Sequence, residues 1–89
     1  TDVAMRLLTR REYDCLYWVA IGKSSWEIGK IMGITKRTVN FHVQNACVKL
    51  DACNRQAAVT KLFYPNLLSS VNEETQLKYY KNYLSPTDL

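Results

Sequence analysis

At 89 residues and a formal net charge of +4, the chain has room for one small domain with a modest core and excludes anything larger. Its longest apolar run, Cys15 to Ile21, falls far short of the about twenty residues a membrane span needs, and no signal peptide is visible, so a cytoplasmic protein with no membrane partner is expected. Three cysteines (Cys15, Cys47, Cys53) without a CxxC pair and one histidine, His42, lack metal-ligand spacing, so free thiols, no metal and no cofactor are expected.

Charge is unevenly placed. From Arg6 to Lys61 there are ten basic and four acidic residues, a net of +6, and the flanks carry the remaining −2. Such a basic segment favours a polyanionic partner. There is no initiator methionine and Thr1 leads into a helical signal within ten residues, so the chain reads as a piece of a longer protein.

Thr9 and Glu12 form a capping box that opens a helix to about Ala20, and Gly22 ends it. Its inward stripe is expected at Tyr13, Leu16, Tyr17 and Ala20, with Val19 at the margin. Lys23 follows beside the start of the next helix, where a phosphate can lie. That helix opens on a second capping box, Ser24 with Glu27, and should face Ile28, Ile31 and Met32 inward. Trp26, in its first turn, is either a core residue or a surface stacker whose indole N–H can donate to a phosphate. Gly29 inside the helix costs roughly 1 kcal/mol against alanine, which implies close approach of a second helix. Gly33 is placed to end the helix, Ile34 to plug the turn, and Thr35 to N-cap a helix beginning at Lys36.

On this third helix Val39, Val43, Ala46 and Leu50 share one stripe, while Arg37, Asn40, Phe41, Gln44, Asn45 and Val48 occupy the opposite side. His42, at the edge of the stripe, reads as a packing residue. Lys36 and Arg37 in the first turn oppose the helix dipole by about 0.3 to 1 kcal/mol each, so they imply an external anion. Leu50, Asp51 and Ala52 make a short turn, and Asn54 caps a fourth helix through about Leu62 or Phe63. Pro65 forbids its continuation, so Phe63 to Ser70 is expected to be an extended connector, followed by a fifth helix over 73–84 that Asn72 caps. The expected class is all-α: a domain over 1–64 with its motif at 25–44, then a connector and extension over 65–89.

The segments LTRRE (Leu8 to Glu12), GKSSWEIG (Gly22 to Gly29) and GITKRTVNFHVQN (Gly33 to Asn45), with Lys49, Leu50, Asn54 and Arg55, resemble the LuxR-type helix-turn-helix domain over Leu8 to Leu62. The TVNFH form at Thr38 to His42 is most similar to the quorum-sensing branch, whose characteristic positions Glu12, Leu16 and Gly22 would match. The resemblance implies a four-helix LuxR-type bundle acting as the effector domain of a bacterial transcription regulator. It further implies a homodimer on an inverted repeat of double-stranded DNA, a dimer contact on the fourth helix at Ala57, Ala58, Val59 and Leu62, and action on RNA polymerase.

In such a complex the third helix enters the major groove. Asn40 and Gln44, one turn apart, carry carboxamides that can pair with adenine, and Phe41 can meet a thymine methyl, so these three are the expected base readers. Lys23, Ser25, Trp26, Lys36, Arg37, Thr38, Asn45 and Lys49 are the expected phosphate contacts, Lys49 being placed equally well to favour the C-terminal dipole. Two other readings compete: a protein-interaction module using the tyrosine-rich tail, and a sigma-factor-like promoter reader. An enzyme is not expected, because a single histidine and no glycine-rich phosphate loop leave no catalytic constellation.

Overall fold

Each of the first four helices begins where a side chain replaces a missing backbone partner. In the computed structural model, which describes residues 6–69, α1 runs Arg10–Ile21, α2 Ser25–Met32, α3 Lys36–Lys49, α4 Arg55–Phe63 and α5 Pro65–Ser69. The Glu12 and Glu27 backbone N–H groups donate to the Thr9 and Ser24 hydroxyls, and the two glutamates accept in return from the Thr9 and Ser24 N–H groups at 2.9 and 3.0 Å. Thr35 and Asn54 each cap with one acceptor, for the N–H of Thr38 and of Ala57. The all-helical class is as expected, and no strand occurs among the described residues. None of these helices is long and apolar enough to cross a membrane.

The exits are equally local. Gly33 ends α2 at φ 71°, in the left-handed region, and Ile34 N–H then reaches back to the Gly29 carbonyl at 3.0 Å. At the end of α3 a non-glycine does this work: Asp51 sits at φ 52°, so that its own N–H meets the Val48 carbonyl and Ala52 N–H meets that of Cys47. Lys61 on α4 donates to the Asp51 carbonyl and ties this turn to the next helix.

The core draws on four helices: Cys15, Leu16 and Val19 from α1, Ile28 from α2, Val39, Val43, Ala46 and Leu50 at α3, and Ala58, Val59 and Leu62 from α4. The α3 stripe is the one predicted. On α1 the expected stripe is offset by one residue: Glu12, Cys15, Leu16 and Val19 are buried, Tyr17 and Ala20 are exposed, and Tyr13 is half-buried against the edge of Phe63. Glu12 can turn inward because its carboxylate meets Lys49 Nζ at 2.8 Å as well as the Thr9 N–H, so a buried charge is fully partnered. Lys49 Nζ is thereby paired with α1. Burial pushes the Cys15 thiol up to about 11, which makes it an apolar filler beside Met32 and not a nucleophile.

Three further expectations are corrected. On α2 the inward line is Ser25, Ile28 and Gly29, continued by half-buried Met32, and this turns Ile31 to the surface at 46% exposure and Trp26 at 60%. On α4, Ala58, Val59 and Leu62 are consumed by the protein's own core, so of the expected dimer contacts only Ala57 keeps access to solvent. Pro65 does end α4, but the following segment is no extended connector; proline takes the first position of α5, where its absent N–H costs nothing. The helix expected over 73–84 lies outside the described residues.

Gly29 justifies its cost by geometry. A Cβ there would lie 2.6 Å from the Ile34 carbonyl oxygen and 3.4 Å from the Lys36 nitrogen, so the turn and the start of α3 occupy the space of a side chain. Gly29→Ala should therefore destabilise the domain by roughly 1–3 kcal/mol in urea melts despite alanine's better helix propensity. Equal stability would show that the turn yields freely.

The Glu12–Lys49 pair gives a pH signature. Burial raises the Glu12 carboxyl, but the Lys49 hydrogen bond, the Thr9 contacts and the Lys49 charge outweigh it and hold the group below its ordinary 4.5. The resulting stability is present above that ordinary value and is lost as pH falls through the depressed folded one. Glu12→Gln should flatten the acid limb of stability against pH, and Lys49→Met, which strands the carboxylate, should cost about 1–3 kcal/mol at pH 7. Superimposable acid transitions in wild type and Glu12→Gln would remove the pair from the account.

Candidate nucleic-acid interface

With Val39, Val43, Ala46 and Leu50 buried, the opposite side of α3 is held outward. Arg37, Asn40 and Gln44 are exposed there, together with Phe41 at 60% and Val48 at 74%. Phe41 and Val48 thus add apolar surface to an otherwise polar face. The Phe41 ring stands edge-on to half-buried His42, centroids 5.7 Å apart, which steadies it without covering it. Asn45 is half-buried at the margin of this face.

Electrostatics distinguish the two pairs of helices. In α1 and α2 the first turn carries an acid, Glu12 or Glu27, which suits the positive end of the dipole. Arg10 and Arg11 follow the cap of α1 too, but Glu12 shares that turn; in α3 and α4 the first turn carries no acid and opens on Lys36 with Arg37, and on Arg55. Positive side chains at two positive helix ends leave a demand for outside negative charge.

Part of that demand converges in an open cleft of about 600 Å³ where Lys23, Trp26, Lys36, Arg55 and Gln56 meet around the start of α2. Glu27 at its rim is held below the usual carboxylate range by its hydrogen bonds with Ser24. The Trp26 ring is covered on one side by Lys30, whose Nζ lies 5.2 Å from the ring centroid.

The expected site residues thus separate. Asn40, Phe41, Gln44 and Arg37 share the outward face of α3, and Lys23, Trp26 and Lys36 line the cleft. Three lie elsewhere or are already engaged. Lys49 pairs with Glu12; the Thr38 hydroxyl shares a hydrogen bond with Thr35 at 2.9 Å; and Ser25, 6% exposed, has its hydroxyl occupied by Asn40 and Arg55. Arg55 was not among the site residues expected from sequence. Its signal was the one that marked Lys36 and Arg37, a cation directly after an N-cap with no acid in the turn.

Comparison with known proteins gives this geometry a family. Residues 6–62 match the description "bacterial regulatory proteins, luxR family". The chain is 56% identical over 55 residues to the transcriptional activator protein VanR of Vibrio anguillarum, covering 62% of this chain and 23% of that protein. It is 57% identical over 54 residues to the quorum sensing-dependent transcriptional regulator RpaR of Rhodopseudomonas palustris, covering 61% and 22%. With the transcriptional activator protein AhyR of Aeromonas hydrophila it shares 42% over 71 residues, 74% of this chain and 27% of the relative. The chain therefore spans about a quarter of the length of these curated relatives. With its capped helices, its glycine-tightened turn and a match over most of its described length, the chain belongs to the LuxR family of bacterial regulatory proteins and carries that family's helix-turn-helix domain.

Proposed function

We propose that this domain binds double-stranded DNA in a sequence-specific manner as the effector domain of a bacterial transcription regulator of the quorum-sensing type, with α3 in the major groove. The observation that carries the reading is the outward face of α3: Asn40, Phe41 and Gln44 exposed in one patch, directly beyond a helix start bearing Lys36 and Arg37 and no acid. An α-helix fits the major groove, a carboxamide can pair with adenine, and an aromatic ring can meet a thymine methyl. Lys23, Lys36, Arg37, Arg55 and the Trp26 indole would hold the phosphates on either side.

The protein acts in the cytoplasm as a homodimer on an inverted repeat, its half-sites about one helical turn apart, roughly 10 bp. Since most of the apolar face of α4 is internal, the second copy meets Gln56, Ala57 and Thr60, which lie outward of the core on that helix. Bound beside a promoter, the dimer contacts RNA polymerase.

Titrating the chain with duplexes in fluorescence anisotropy over a range of salt tests the reading. Arg37→Ala should weaken binding to every duplex and reduce the slope of log affinity against log salt by about one. Gln44→Ala should cost about 1–3 kcal/mol on the preferred site and little on unrelated DNA. Absence of binding to any duplex at low ionic strength would end the proposal.

A further inference from the structure

The Ser25 hydroxyl sits between two side chains of the DNA-facing surface. Its Oγ lies 2.6 Å from Asn40 Oδ1 and 3.0 Å from an Arg55 guanidinium nitrogen, and the serine is 6% exposed. A guanidinium only donates, so Ser25 accepts from Arg55. The contact with Asn40 is shorter than N–H···O bonds usually are and lies within the O–H···O range, so the Ser25 proton goes to the carboxamide oxygen and the amide nitrogen is the other end. Donors and acceptors therefore run in one direction, from Arg55 on α4 through Ser25 on α2 to Asn40 on α3.

An oxygen held against a buried hydroxyl faces the protein, and the amino group is left to face outward. We infer that Asn40 reads DNA as a hydrogen-bond donor, to a base-edge acceptor such as guanine O6 or N7 or thymine O4, and that Ser25 and Arg55 are positioning residues that set this sense. Pairing with adenine needs the carboxamide oxygen and nitrogen together on the base edge, and Ser25 withdraws the oxygen. The inference rests on the DNA-binding reading and refines one residue of it: Gln44, with no such hydrogen bond among the described residues, keeps both ends of its carboxamide for adenine.

Selection of sites from a randomised duplex pool by the whole chain tests it. One position should prefer guanine or thymine in wild type and lose that preference in Asn40→Ala. Ser25→Ala, which frees the carboxamide to turn, should raise adenine at that position by about tenfold relative to wild type. Arg55→Lys, which retains a donor to Ser25, should keep the wild-type preference, whereas Arg55→Met should shift it as Ser25→Ala does. If Ser25→Ala fails to fold, Asn40→Asp keeps an oxygen for Ser25 and turns an acceptor outward, so its preference should move to cytosine through the N4 amino group. Adenine at that position in wild type, an unchanged preference in Ser25→Ala or Asn40→Asp, or an equal loss on all sequences in Asn40→Ala would overturn the inference while leaving DNA binding intact. A pool that yields no enriched sequence would remove the DNA-binding reading itself.

Discussion

One backbone oxygen occupies the place of a methyl group. Because the Ile34 carbonyl stands where a Gly29 Cβ would be, α2 and the start of α3 meet at the turn with no room for a side chain at that point. That contact sets the close approach of α3 to α2, and the apolar stripe decides which side of α3 faces the core. Val39 and Val43 then pack inward, and Asn40, Phe41 and Gln44 have nowhere to go except outward. The position of the candidate interface is thus a consequence of backbone proximity and of the apolar stripe, and needs no special arrangement of the polar residues.

The same economy governs charge. Helix ends expose unpaired N–H groups, and the domain satisfies these in two ways. At α1 and α2 a glutamate closes the end reciprocally with its cap, so those ends are complete within the chain. At α3 and α4 a single cap residue accepts one N–H, and cations with no acid follow it in the first turn, an end that favours an anion.

What the sequence made legible was what depends on neighbours along the chain. Thr9, Ser24, Thr35 and Asn54 cap, and Gly22 and Gly33 turn, through contacts three to five residues long, and the α3 stripe follows directly from its period. The errors arose where a distant partner decides. Glu12 lies on the buried line of α1 with Cys15, Leu16 and Val19, and the partner that makes this tolerable, Lys49, comes from the far end of α3. Ser25 and Arg55 are joined to Asn40 by hydrogen bonds that link three helices, and no local pattern encodes that connection. The apolar residues of α4 could be divided between core and partner only by seeing which ones α1 and α3 cover: Ala58, Val59 and Leu62 go inward and Ala57 does not. Pro65 signals a stop because it breaks one helix, although the same locked φ starts another.

The arginine at the start of α4 joins two tasks. Arg55 opens the helix assigned to subunit pairing, and its guanidinium is two hydrogen bonds from a side chain assigned to the groove. A hydrogen bond weakens steeply with misalignment, so a small rocking of α4 on association would be felt at the Asn40 amide. In the proposed dimer, assembly and sequence discrimination would then be linked variables: by thermodynamic reciprocity, a duplex that favoured one amide orientation would also favour the subunit arrangement that supports it.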